Sequence, residues 1–140
     1  MNKVLIFGYG YVARFLSEKI IANGNSVLAT SRDSNKMNTQ VDKLTLIHPD
    51  KINSKLTELK DETTHLIVSA PPNESGDVFL NQYQDILLSM SSLKWIGYLS
   101  ATNVYGDHNG EYVNELSSLK GRTSKGINRI KAEGQWIEYS

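Results

Sequence analysis

The amino-acid sequence predicts an α/β fold: a doubly wound parallel sheet of about five strands, in the order 3-2-1-4-5, with helices on both faces. Three observations lead there. Residues 3–7 form an apolar run, Lys-Val-Leu-Ile-Phe, that passes straight into Gly8-x-Gly10-x-x-Ala13 and then into a helical pattern. Short apolar runs alternate with helix-like stretches throughout the chain, the pattern of right-handed crossovers between parallel strands. Finally, the apolar run at 65–69 is stopped by Ala70-Pro71-Pro72, because proline cannot donate to a sheet ladder, before a broad apolar helix begins.

Residues 3–7 read as a buried parallel strand. The first helix covers about 11–23, with its apolar pattern carried by Val12, Phe15, Leu16 and Ile20. Asn23-Gly24-Asn25 closes it with residues that tolerate left-handed backbone. Residues 26–30 are the second strand, and Ser31-Arg32-Asp33 leaves its carboxyl end. Residues 33–42 are polar and aperiodic, a loop with at most a helical turn. Leu44-Thr45-Leu46-Ile47 is a short third strand ended by His48-Pro49, and Ile52, Leu56 and Leu59 mark a short helix. Residues 65–69 are the fourth strand. Residues 78–90 place Phe79, Leu80, Tyr83, Ile86, Leu87 and Met90 on one broad face, the strongest helix in the chain. Residues 95–99 are the fifth strand, followed by a polar loop from Ser100 to about Lys120 and a last helix over about 123–138.

At 140 residues the chain is expected to form one domain, 1–140, large enough for a real core at 39% hydrophobic content. A formal net charge of +0 and the absence of any basic run argue against nucleic-acid or membrane-surface binding. There is no cysteine, hence no disulfide framework and no thiol chemistry, which fits a cytoplasmic location. The apolar start is too short for a signal peptide, and no window is long enough to span a bilayer. His48, His65 and His108 show no metal-ligand spacing and read as surface or strand-end residues.

The glycine turn carries the chemistry. Gly8 permits a tight turn, Gly10 lets a pyrophosphate approach the backbone, and Ala13 lets the helix pack close to the strand. The free amides at Tyr11 and Val12, with the helix dipole, then face the phosphates. In this sheet order the ligand crevice lies at the carboxyl ends of strands one and four, which brings in Ala70 and Pro71. A dinucleotide is therefore the expected ligand, against a plain strand-to-helix turn that holds none. NAD-preferring sites place a carboxylate at the end of strand two; here that strand ends Thr30-Ser31-Arg32, and the acid arrives only at Asp33. Arg32 can pair with a 2'-phosphate and Ser31 can donate to it, so NADP is expected over NAD.

The glycine turn, the stretch Ser100-Ala101-Thr102-Asn103-Val104-Tyr105-Gly106 after strand five, and Arg129-Ile130-Lys131-Ala132-Glu133 together resemble the extended short-chain dehydrogenase/reductase family, which includes nucleotide-sugar epimerases and dehydratases. The resemblance runs the length of the chain and implies a Rossmann fold with an NAD(P) cofactor. Most members have Gly-x-x-Gly-x-x-Gly, whereas here Phe7 takes the first of those places and Gly8 comes one later, which fits an atypical, epimerase/dehydratase-like branch.

The family's chemistry uses a Ser or Thr hydroxyl on the substrate oxygen, a Tyr that moves the proton, and a Lys that tunes the Tyr and holds the nicotinamide ribose. The matching positions here hold Ala101, Lys125 and Arg129, taking the last helix as gap-free from Lys125 to Glu133. The usual proton-transfer set is therefore absent. Ser100, Thr102 and Tyr105 are the remaining hydroxyls nearby; Thr102 and Tyr105 are weak catalytic candidates, and Ser100 and Arg129 are candidate cofactor contacts. Family members also carry further strands and a substrate-binding region beyond the last helix. The resemblance thus implies a C-terminally truncated form: a catalytically impaired NAD(P)-binding protein, the N-terminal half of a split oxidoreductase or epimerase, or a decayed fragment without ligand. Strand 95–99 is expected to be an open sheet edge, and Val104 with Ile127, Ile130, Trp136 and Ile137 to lack a covering partner. A homodimer through this edge and the last helix is one expected outcome, and a separate C-terminal chain is the other.

Overall fold

The computed structural model describes residues 1–36 and 41–140. The elements run β1 (Lys3–Phe7), α1 (Tyr11–Ala22), β2 (Ser26–Thr30), β3 (Leu44–Ile47), α2 (Ile52–Leu59), β4 (Thr63–Val68), α3 (Val78–Leu88), β5 (Trp95–Tyr98) and α4 (Ser124–Tyr139), with single 3-10 turns at Pro49–Lys51 and Thr102–Val104. The five strands form one sheet in the order β3-β2-β1-β4-β5, each adjacent pair parallel. This is the sheet order expected from the sequence. Part of the expected 33–42 loop, residues 37–40, lies outside the described residues.

Parallel strands that carry unbroken apolar runs bury both faces, and the register shows how. Ile6 sits opposite Ala29 and Ile67; with Val4, Val27 and Ala13 these residues form a core against which Leu16, Ile20 and Ile21 of α1 pack. Residues of the other parity, Leu5 opposite Leu28 and Leu66, point to the second face. There Phe7 meets Tyr83 of α3 edge-on, with ring centroids 6.1 Å apart. Each large side chain buried this way contributes about 1.5–3 kcal/mol.

Two element faces differ from expectation. On α1 the innermost residues are Ala13 and Ser17, while Val12 and Phe15 are 56% and 51% exposed. The helix crosses the sheet so closely beside the glycine turn that only small side chains fit beneath it, and the larger Val12 and Phe15 are turned outward. His65 is an interior strand residue, not a strand end, because β4 begins at Thr63; its ring stacks at a tilt on Trp95. The last expected residues of α3 leave the helix through bonds from Ser89 N to Ile86 O and Met90 N to Leu87 O, so Met90 is still buried.

Contacts divide the chain into two compact units, 1–70 with 83–99 and 71–82 with 100–140. The first holds the sheet, α1 and α2. The second holds the start of α3, the 3-10 turn and α4. In it Thr123 caps α4 by accepting from Gly126 N at 3.0 Å. Val104, expected to lack a covering partner, is only 3% exposed. Its carbonyl accepts from Gly121 N at 2.9 Å, and a Cβ on Gly126 would lie 2.8 Å from Asn103 O, so the turn and the helix meet backbone to backbone and enclose it. No helix among the described residues is long and apolar enough to cross a membrane.

Candidate functional site

The first unit builds its site at the carboxyl end of β1. Both Ser69 N and Ala70 N donate to Phe7 O at 2.9 Å, which ties the end of β4 to the end of β1. The next residue, Gly8, adopts φ +103, a region L side chains rarely enter, and a Cβ there would lie 2.6 Å from Ala70 N. On the other side Gly8 N donates to Thr30 Oγ1 at 2.9 Å, and Tyr9 N donates to Thr30 O at 2.7 Å. The turn is thus wedged between β4 and β2.

Gly10 is the N-cap of α1 in extended backbone, and a Cβ built on it would meet nothing within 4 Å. No side chain caps the helix, and its first turn has no acidic residue. The amides of residues 11–13 therefore have no capping side chain at the positive end of the helix dipole, as an anion cradle requires. Ala13 is fully buried one turn behind.

At the end of β2, Ser31 is buried, its amide donates to Ile47 O at 2.9 Å, and its hydroxyl accepts from Asp33 N at 3.1 Å. Asp33 turns back on its own loop, accepting from Asn35 N and pairing loosely with Lys36. Arg32, between them in sequence, is exposed and without an ion-pair partner among the described residues.

The second unit holds the remaining candidates. Pro71, Thr102 and Lys125 are exposed, and Tyr105 is half-buried. The Ser100 hydroxyl donates to the Glu133 carboxylate. The last helix is unbroken over Ser124–Tyr139, so Lys125, Arg129 and Glu133 share one stripe at four-residue spacing. Arg129 is half-buried and its charge faces Asp77. The sequence reading missed Asp77. It is 1% exposed, and its Oδ1 accepts from Leu80 N at 2.9 Å, the N-cap contact of α3, with the Trp136 side chain and the Phe79 backbone also bonded to the carboxylate. Burial raises its pKa above the usual 3.8; the hydrogen bonds and Arg129 pull the other way without cancelling it. Around it, Asp77 N donates to Gln135 Oε1 at 2.7 Å, and Gln135 Nε2 donates to Asn81 Oδ1 at 2.9 Å. An aspartate immediately before the strongest helix was the signal that could have found it.

The described residues contain no cluster of acidic or imidazole groups that could hold a metal. No protein-family model and no curated protein matches the sequence. Solved structures do. A conserved protein of unknown function from Silicibacter pomeroyi is 31% identical, with a TM-score of 0.85 over 99% of this chain and 50% of its own. The fold is Rossmann-like. The Bordetella bronchiseptica enzyme WbmG, in complex with NAD and UDP, is 18% identical with a TM-score of 0.76, over 96% of this chain and 48% of the enzyme. The UDP-glucose 4-epimerase from Bifidobacterium longum, in complex with NAD+ and UDP, is 14% identical with a TM-score of 0.70, over 98% and 48%. The chain therefore spans about half the length of the structures it resembles.

Proposed function

We propose that this chain binds a nicotinamide dinucleotide at the glycine turn, as the cofactor-binding half of an atypical short-chain dehydrogenase/reductase of the epimerase/dehydratase type. The observation that carries the reading is the uncapped start of α1 behind Gly10, where nothing lies within 4 Å of the missing Cβ. Structures of the same fold that hold NAD support it. Tyr11 and Val12 offer the amides, and Gly8 and Ala70 hold the turn. A cysteine-free composition fits work in the cytoplasm.

The phosphorylated dinucleotide is the preferred form, because Arg32 is an exposed charge at the end of β2 while Asp33 is engaged in its own loop. Calorimetric titration of NADPH and NADH tests this. Arg32→Ala is expected to weaken NADPH about tenfold or more and NADH less than about threefold; equal losses remove Arg32 from the site. With Ala101, Lys125 and Arg129 in the family's proton-transfer positions, the loaded chain is expected to show no carbonyl reduction or sugar epimerisation. Turnover of about 1 per second or more would mean that the family positions fall on other residues of the last helix, or that Thr102 or Tyr105 carries it.

A second reading, half of a split enzyme or a homodimer, is favoured by one observation in each unit. In the first, β5 pairs among the described residues only with β4, and its Trp95 is 52% exposed. In the second, Ile127 and Ile137 are exposed on α4. Size-exclusion chromatography with light scattering at micromolar concentration is expected to show a dimer or larger species. A sharp monomer peak, with unfolding independent of protein concentration, would rule out self-association through these surfaces.

A further inference from the structure

The first unit contains a cavity of about 210 Å³ at the opposite end of its sheet from the glycine turn. Lys3, Ser26 and Thr63 at its edge are the first residues of β1, β2 and β4, and Lys43 immediately precedes β3. The eight-residue α2 bounds it through Lys55 and Leu59, and Leu5 and Leu28 contribute apolar lining from the sheet.

Its rim is cationic. Lys3 pairs with Glu62 and Lys55 with Glu58, but both pairs are solvent-exposed, so little holds either ammonium in place. Lys43 has no carboxylate partner among the described residues. Its backbone is left-handed at φ 63, a conformation that glycine or asparagine holds with less strain, and its carbonyl accepts from Val27 N at 2.8 Å. A lysine thus stands at a strained backbone position in the lining of a largely apolar cavity.

We propose that this cavity is a binding site for a small amphipathic anion, with its charged head on Lys43, assisted by Lys3 and Lys55, and its apolar body on Leu5, Leu28 and Leu59. A bare inorganic anion leaves the leucine lining unused, and a neutral apolar ligand leaves the ammonium rim unpaired. The volume lies below that of drug-sized pockets and suits a ligand of roughly ten heavy atoms. The site is independent of the dinucleotide reading, since it lies at the other end of the strands.

Octanoate is the probe, with 1-octanol and inorganic phosphate as controls, followed by methyl-resolved NMR of the full chain. Octanoate is expected to give saturable shifts at Leu5, Leu28 and Leu59, with both controls at least about tenfold weaker. Lys43→Gly removes the charge and the backbone strain together, so it should unfold at the same or a higher temperature while binding octanoate about tenfold more weakly. Absence of saturable shifts, equal binding of octanol or phosphate, or undiminished binding by Lys43→Gly would each overturn the proposal.

Discussion

Gly8→Ala is expected to destabilise the protein by roughly 3–5 kcal/mol, while Gly10→Ala, two residues on, leaves it folded and weakens dinucleotide binding. The two glycines do different work. At Gly8 a methyl group meets two penalties: a backbone at φ +103, and contact at 2.6 Å with Ala70 N. That amide cannot yield easily, because it is bonded to Phe7 O and closes β4 onto β1. Against a total stability of about 5–15 kcal/mol, the loss is enough to unfold much of the population. At Gly10 the backbone is extended and the space empty, so alanine costs less than about 1 kcal/mol as a changed N-cap. Its methyl group then occupies the space a pyrophosphate needs. Urea denaturation followed by circular dichroism measures the first effect, and calorimetric titration of NADPH the second. The expected pattern is a folded Gly10→Ala protein with affinity reduced at least about tenfold. Wild-type affinity in that variant would place the phosphates elsewhere.

Much of this architecture is legible in the sequence for a physical reason. Strands covered on both faces cannot alternate polar and apolar residues, so β1, β2 and β4 stand out as short apolar runs, and Gly8, Gly24 and Pro71 punctuate them. The sheet order then follows from the handedness of the crossovers. The faces of the helices are less legible. Val12 and Phe15 fit a helical period as well as Ala13 and Ser17 do, and bulk alone favoured the larger pair. What decides is the close crossing at the glycine turn, a tertiary fact that selects for smallness. Val104 escaped for a related reason, since its cover comes from Gly121 and Gly126, whose value lies in letting backbone approach backbone. Arg129 reads from its neighbours as either a ribose contact or a solvated helix charge. Only the fold shows that it faces Asp77, a carboxylate far away in sequence.

Asp77→Ala is expected to cost about 3 kcal/mol. The N-cap bond to Leu80 N contributes about 1 kcal/mol, and the Trp136 side chain loses an acceptor in a buried place, at about 1–3 kcal/mol. Asp77→Asn keeps the shape and one oxygen for Leu80, and should cost about 1 kcal/mol or less at neutral pH. The pair of variants also separates charge from structure. Burial raises the Asp77 pKa above 3.8, so the folded chain holds this proton more tightly than the unfolded chain does. As pH rises through 3.8 the unfolded chain releases the proton first, and the folded chain keeps it until its own higher value is reached. Between those two points the folded state binds more protons, so the contribution of Asp77 is fully present below 3.8 and is lost as pH climbs through the folded value. Asparagine has no such proton. The stability of the wild type minus that of Asp77→Asn, from urea midpoints between about pH 3.5 and about pH 7, should therefore fall as pH rises and then level off. A difference that rises with pH would mean that the charge of Arg129 outweighs burial, and that the carboxylate of Asp77 is ionised in the folded chain because Arg129 holds it there.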